Sequence, residues 1–151
     1  MLKRSNNFFA TCDIKKTVEH ANNIFVTVAS YSEPDGKYDV SQVEDVVQSL
    51  VDLGQQKNKK HLIICTNVNP GYTDTIYERL KNYNWTVSFN PETIAQGTIV
   101  KNQKYPDCIY IGSTDRDDIS SLLEIYANVC ANSPSIHVMD RLSAELTNYS
   151  F

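Results

Sequence analysis

The stretch that decides the fold is Trp85-Thr86-Val87-Ser88-Phe89-Asn90-Pro91-Glu92. It opens as an apolar strand over residues 85–89 and then turns at Asn-Pro. Pro91 fixes its own φ and disfavours helical geometry at Asn90, so the strand has to end there. In an open α/β sheet, ligands bind in the crevice beyond the carboxyl ends of the strands. Glu92 is therefore predicted to lie where such a sheet carries its chemistry.

Other apolar runs of strand length occur along the chain, separated by segments with helical spacing. The run Ile24–Ala29 is almost continuously apolar, which is typical of a strand covered on both faces. A further short strand is expected within residues 5–12. The remaining predicted strands are residues 61–66, 107–112 and 135–139.

The segments between these strands carry helix signals. Asp13, Asp115 and Asp140 each precede a helical pattern as N-cap residues, and Ser41-Gln42-Val43-Glu44 has the form of a capping box. Strands that alternate with helices build βαβ units. The sequence predicts an α/β fold: a partial Rossmann-like, doubly wound, mostly parallel sheet of about five strands with helices on both faces.

Length and composition limit the classes of function. The chain has 151 residues, of which 41% are hydrophobic and 21% charged, as expected for one globular domain over residues 1–151. Its net charge of −4 argues against binding to nucleic acid or to an anionic membrane surface. There is no apolar run of membrane-spanning length and no signal-peptide pattern at the start, which predicts a cytoplasmic location.

Cysteine and histidine residues give no metal-site pattern. The four cysteines are widely spaced without a C-x-x-C pair, and the three histidines are equally scattered. Buried, reduced thiols are the favoured interpretation, and no metal site is predicted.

Five segments resemble, in order, motifs of the UDP-glucose/GDP-mannose dehydrogenase family. Together they cover nearly the whole chain. Residues 23–44 resemble "V-x-T-P…D-G-x-x-D-L-S-x-V", residues 66–71 resemble "S-T-V-P-P-G", residues 90–98 resemble "N-P-E-F-L-x-E-G", residues 106–112 resemble "P-D-R-I-V-I-G", and residues 143–149 resemble the start of the long helix that joins the family's two domains.

The resemblance implies roles for particular residues. Members of the family oxidise a nucleotide sugar at C6 to a carboxylate in two NAD-dependent steps through a cysteine thioester. Glu92 lies at the family's general base for thioester hydrolysis, a role that partial desolvation would favour. Its alternative role is an N-cap carboxylate on a helical turn over 92–97. The remaining implied contacts are Asn67 for water placement, Ser30, Tyr31, Thr66, Asn67 and Glu92 for cofactor, and Thr93, Ile94 and Gln96 for substrate.

Departures from the family pattern are equally informative. The sequence contains no G-x-G-x-x-G turn for the NAD pyrophosphate, and none of its cysteines has the Gly-rich context of the family's nucleophile. Asn148 lies at the position of the catalytic lysine, and an amide cannot supply that positive charge. The chain is expected to be a truncated NAD-binding domain that is inactive alone. Residues 1–22 would be the remnant of the third strand and its helix, and residues 140–151 the start of the interdomain helix.

The missing first strands leave a sheet edge to be covered. In the 3-2-1-4-5-6 order, Ile24–Ala29 would pair with the first strand. We therefore expect either residues 7–12 or a second chain, in a homo-oligomer, to cover this edge. Three functions stay open: a non-catalytic binding or interaction module, a protein that retains weak binding of NAD or a nucleotide sugar, and one half of a split dehydrogenase.

Overall fold

The computed structural model describes residues 9–92 and 97–150, which form a five-stranded sheet and its flanking helices. The strands match the apolar runs of the sequence, with β3 and β5 beginning and ending where predicted. The strands are β1 (Asn23–Val26), β2 (Lys60–Ile64), β3 (Trp85–Phe89), β4 (Cys108–Gly112) and β5 (Ser135–Met139). The helices are α1 (Ile14–His20), α2 (Ser41–Asp52), α3 (Tyr72–Leu80) with a 3-10 turn at Lys81–Tyr83, α4 (Ile99–Lys104), α5 (Arg116–Val129) and α6 (Arg141–Tyr149).

The strands lie side by side in chain order. β1, β2 and β3 are parallel to one another, as are β4 and β5. The two groups meet at one antiparallel pair, Phe89 opposite Gly112, so β4 runs on past the carboxyl end of β3. The prediction of a mostly parallel, Rossmann-like sheet with helices on its faces is confirmed.

Two apolar clusters cover the faces of the sheet. The larger packs α2, α3 and α6 against β2 and β3, and Leu50, Ile76 and Trp85 are fully buried in it. The smaller lies under α5, which contributes Leu122. On this second face of the sheet, β1 is only partly covered, since the side chain of Phe25 is 42% exposed. The prediction that both faces of this strand are covered is therefore wrong.

A buried polar group fixes α5 over the sheet. His61 lies between Asn23 and Ser88, with its ring nitrogens 3.2 Å from Asn23 Oδ1 and 2.8 Å from Ser88 Oγ. Asp118 of α5 accepts a 2.8 Å bond from Thr86, and its second oxygen lies 3.6 Å from His61 Nε2. Burial lowers the pKa of His61 to about 4, so at neutral pH the imidazole is uncharged and this contact is not an ion pair.

Several local predictions differ from the structure. Ser41 opens α2 without a capping box, because Glu44 instead accepts bonds from Tyr72 and Arg79 of α3. Helix α4 was not predicted. Phe9–Cys12 belong to no strand, and the rest of the segment 5–12 lies outside the described residues. The side chains of Leu123 in α5 and of Leu142 and Leu146 in α6 are exposed.

Candidate functional site

The candidate site lies at the carboxyl ends of β1, β2 and β3. Because these strands are parallel, the segments that follow them meet at one edge of the sheet. Those segments are 27–31, 65–68 and 90–92. β4 and the loop before it form the neighbouring wall, since β4 extends beyond the end of β3.

Asn90 makes the turn after β3 rigid. Its N–H donates to Ile64 O over 2.8 Å, and its side-chain amide donates to Tyr110 O over 2.8 Å. The Tyr126 hydroxyl donates to Asn90 Oδ1 over 2.5 Å, and burial raises the pKa of Tyr126 to about 12, which keeps this donor protonated. The Asn-Pro turn therefore connects β2, β3, β4 and α5 and presents Glu92 at the sheet edge.

Glu92 lies at the centre of the candidate site but is not desolvated. Its backbone N–H donates to Cys65 O over 3.4 Å, and its side chain is exposed to solvent. The partial burial expected of a general base is not found here. Glu92 nevertheless lines three adjoining cavities, of about 230, 520 and 190 Å³.

The smallest of these cavities brings together four of the sequence-predicted residues: Ser30, Thr66, Asn67 and Glu92. The Thr66 hydroxyl donates to Val28 O over 2.6 Å and lies 3.3 Å from Ser30 Oγ. Tyr31 is 68% exposed and lines none of the three cavities. Thr93, Ile94 and Gln96, expected at the substrate, lie outside the described residues.

The largest of the three cavities joins Glu92 and Asn67 to Asn148 of α6. Asn148 Nδ2 donates to Asn67 Oδ1 over 2.9 Å, so two predicted site residues satisfy each other. Sequence reasoning missed the rest of this wall, although the aromatic and polar residues around Pro106 were a usable signal. The missed lining residues are Tyr38, Asn102, Tyr105, Pro106, Asp107, Cys108 and Tyr110.

The residues described do not fit the diphosphate of NAD. Neither the 190 Å³ nor the 520 Å³ cavity has a Lys or Arg among its described lining residues, whereas Glu92 lines both and Asp107 lines the larger. A pyrophosphate is held by cationic side chains or by free N–H groups at a helix N-terminus. At the start of α3, the helix that follows β2, two of these N–H groups are already bonded. The buried Glu145 accepts from Gly71 N over 2.5 Å and from Thr73 N over 2.8 Å.

Residues 9–92 and 97–150 contain neither a metal-site cluster nor a membrane-spanning helix. No group of three or more His, Cys, Asp and Glu side chains there could hold a metal ion. None of the helices described has the length and apolarity needed to cross a bilayer.

Comparison with known proteins shows the family of the chain. The profile "UDP-glucose/GDP-mannose dehydrogenase family, NAD binding domain" matches residues 1–130. UDP-glucose 6-dehydrogenase of Rickettsia felis is 29% identical over 88% of this chain and 30% of that protein. The enzyme of that name from Rickettsia prowazekii is 30% identical over 83% of this chain and 29% of that protein. The chain therefore spans less than a third of these relatives' length.

Solved structures of dehydrogenases share the fold. A ternary complex of GDP-mannose dehydrogenase from Pseudomonas aeruginosa superposes with a TM-score of 0.83, 22% identity, and coverage of 93% of this chain and 34% of that one. UDP-glucose dehydrogenase from Pyrobaculum islandicum gives a TM-score of 0.78 and 25% identity over 93% of this chain and 33% of that one. The resemblance seen in the sequence motifs is confirmed: the chain belongs to the UDP-glucose/GDP-mannose dehydrogenase family.

Proposed function

We propose that this chain is a non-catalytic binding or interaction module of the family. The observation that carries this proposal is the bond between Asn148 and Asn67. At the position where the family resemblance expects a lysine, Asn148 is neutral, and its amide is directed at a neighbouring side chain. A neutral amide engaged in this way cannot stabilise a developing oxyanion as a positive charge does.

The charge of the crevice supports the same conclusion. Glu92 and Asp107 line the 520 Å³ cavity, and its described lining contains no Lys or Arg. Lys104 precedes the lining residue Tyr105, and its ammonium lies over the Tyr105 ring, 5.6 Å from the ring centroid. NAD and nucleotide sugars both carry a diphosphate, so this crevice disfavours them electrostatically. We expect binding of either ligand to be weak or absent.

Retained weak binding of a nucleotide sugar or NAD is the second candidate. It is favoured by the convergence of Ser30, Thr66, Asn67 and Glu92 on one cavity. Thermal unfolding with NAD or UDP-glucose separates the two candidates, because a ligand at ten times its Kd adds about 1.4 kcal/mol of stability. We expect no shift at millimolar ligand. A shift that is lost in Asn67→Ala would replace our proposal with weak binding.

Catalysis is tested directly by NADH absorbance with UDP-glucose and NAD. We expect no NADH from the chain alone.

A split dehydrogenase is the third candidate, in which a second polypeptide supplies the Gly-rich turn and the cysteine domain. Asn148 argues against it, because such an enzyme would still need its lysine. NADH formed only after a second polypeptide is added would support the split enzyme.

The proposal extends to partners and location. We propose that the chain self-associates through the sheet edge near Ile24–Ala29, that it does not bind nucleic acid, and that it resides in the cytoplasm. The exposed ring of Phe25 supports self-association at this edge. The net charge of −4 argues against binding to nucleic acid.

A further inference from the structure

Within residues 9–92 and 97–150, one edge of the sheet has no strand beside it. Among the described strands, β1 pairs only with β2. Asn22 O accepts from His61 N over 2.8 Å, and Val26 O accepts from Cys65 N over 3.0 Å. Because successive residues of a strand alternate in direction, the N–H and C=O groups of the odd-numbered residues point away from β2. The open groups therefore belong to Asn23, Phe25 and Thr27.

This edge lacks the features that keep strand edges apart. Exposed edges in monomeric proteins are usually protected by charged side chains, proline or a bulge. Residues 22–29 contain no charged residue and no proline, and the exposed Phe25 lies at their middle. Nothing in this segment repels a second uncharged strand.

A mostly apolar cavity of about 230 Å³ adjoins Phe25 on the face covered by α5. Its lining includes the apolar residues Ile109, Ile125 and Val129, together with the polar residues Glu92, Asn102 and Gln103. An apolar cavity of roughly 150 Å³ is large enough to admit benzene. The cavity therefore has room for one aromatic side chain that arrives along the edge of β1.

We propose that the occupant is a second copy of this chain, with the two β1 strands paired antiparallel about a two-fold axis at Phe25. Asn23 of each copy then faces Thr27 of the other, and the two Phe25 residues form the central hydrogen-bonded pair. Opposite residues of an antiparallel pair share a face, so the second copy's ring lies beside Phe25 at the cavity. The inference specifies the self-association proposed above and does not depend on the absence of catalysis.

The segment itself selects a second copy over an unrelated strand. A two-fold axis requires a self-complementary surface, in which the same patch meets itself. The sequence Asn23-Ile24-Phe25-Val26-Thr27 meets this requirement, since it sets a polar residue against a polar residue at each end and ring against ring at the centre. The result is one continuous sheet with β1 as its internal seam.

Sedimentation of the full chain over a range of concentrations tests the proposal. We expect a dimer, and we expect Phe25→Lys to make it a monomer by placing two like charges at the axis. The matched control is Val138→Lys, since Val138 is 47% exposed on β5 at the opposite edge and its replacement should leave the dimer intact. Thr27→Pro removes an outward N–H and should weaken the dimer at least tenfold with β1–β2 pairing retained.

The register is tested by a disulfide. The two Phe25 Cα atoms should lie about 5.5 Å apart, a separation that a disulfide bridges. In a Cys12→Ser background, Phe25→Cys should therefore crosslink two copies on mild oxidation, whereas Val138→Cys should not. The background is needed because Cys12 is exposed.

Two outcomes would overturn the inference: a dimer that survives Phe25→Lys, or a monomer at all concentrations. A monomer with protected amides at Phe25 and Thr27 would mean that the chain covers its own edge. NADH production by an intact dimer would overturn only the non-catalytic proposal. A monomer without NADH production would overturn only the interface.

Discussion

Asn148 in α6 donates a 2.9 Å hydrogen bond to Asn67 in the loop after β2, and both residues line the largest cavity that Glu92 lines. The two residues are separated by 81 positions in the chain, and the contact connects the last helix to the candidate site. The bond therefore has a structural role that can be measured by itself.

We expect this bond to contribute modestly to stability. Asn67→Ala and Asn148→Ala should each lower the free energy of unfolding by about 1 kcal/mol, the net value of one hydrogen bond between half-buried groups. In the double variant the two losses should not add, because both remove the same interaction. Urea unfolding of the four proteins of the cycle measures the coupling. Simple additivity would mean that the two amides do not interact in solution.

Glu145 is expected to matter more. Its buried carboxylate accepts from Gly71 N and Thr73 N at the start of α3, so Glu145→Gln replaces one acceptor oxygen with a donor that faces an N–H group. We expect a loss of about 2 kcal/mol in unfolding free energy. Glu124→Gln, on the exposed side of α5, is the matched control and should change stability by less than about 0.5 kcal/mol. Equal losses in the two variants would contradict this account.

The sequence predicted the strands well because the sequences of buried parallel strands are short apolar runs bounded by turn residues. It failed where distant partners decide the outcome. Ser41 and Glu44 have the spacing of a capping box, but Tyr72 and Arg79 arrive from α3 and bind the Glu44 carboxylate. The same reason hides the candidate site: Glu92 and Asn67 could be named from local motifs, whereas the contact of Asn67 with Asn148 depends on how α6 packs.

His61 should make the fold sensitive to acid. Its pKa is about 4 in the folded protein and 6.5 as a free side chain, because burial disfavours the charged ring and Lys59 adds to this. Below pH 6.5 the unfolded chain binds a proton that the folded chain takes up only near pH 4, so stability falls as the pH decreases across that window. The shift corresponds to about 3 kcal/mol.

Two carboxyl groups near His61, those of Asp118 and Asp115, oppose its effect on the pH dependence of stability. Burial raises the pKa of Asp118, so the folded protein holds that proton more tightly, which offsets part of the loss on acidification. Asp115 favours the charged imidazole but is outweighed by burial. We expect His61→Gln to flatten the pH dependence of unfolding between pH 6.5 and 4, and the exposed His137→Gln to leave it unchanged. Parallel curves for the two variants would show that His61 is not the group that titrates.

Gly112 is a point of close approach between the sheet and α6. A Cβ added there would lie 2.7 Å from Ala144 Cβ, 3.1 Å from Arg141 Cα and 3.3 Å from Phe89 Cβ. Because Gly112 is also the residue that pairs β4 with β3, the strand cannot move away without loosening the sheet. We expect Gly112→Ala to lower the unfolding free energy by about 1–3 kcal/mol, as overpacking in cores does.

A second substitution that removes the nearest neighbouring atom tests the crowding at Gly112. Ala144→Gly removes the atom that the new methyl group would meet first, so Gly112→Ala combined with Ala144→Gly should regain part of the lost stability in thermal unfolding. Ala144→Gly alone should be destabilising by roughly 1 kcal/mol, because glycine is unfavourable within a helix. If the losses of the two single variants simply added in the double variant, the contacts of the new methyl group with Arg141 and Phe89, and not the contact with Ala144, would be the dominant clash.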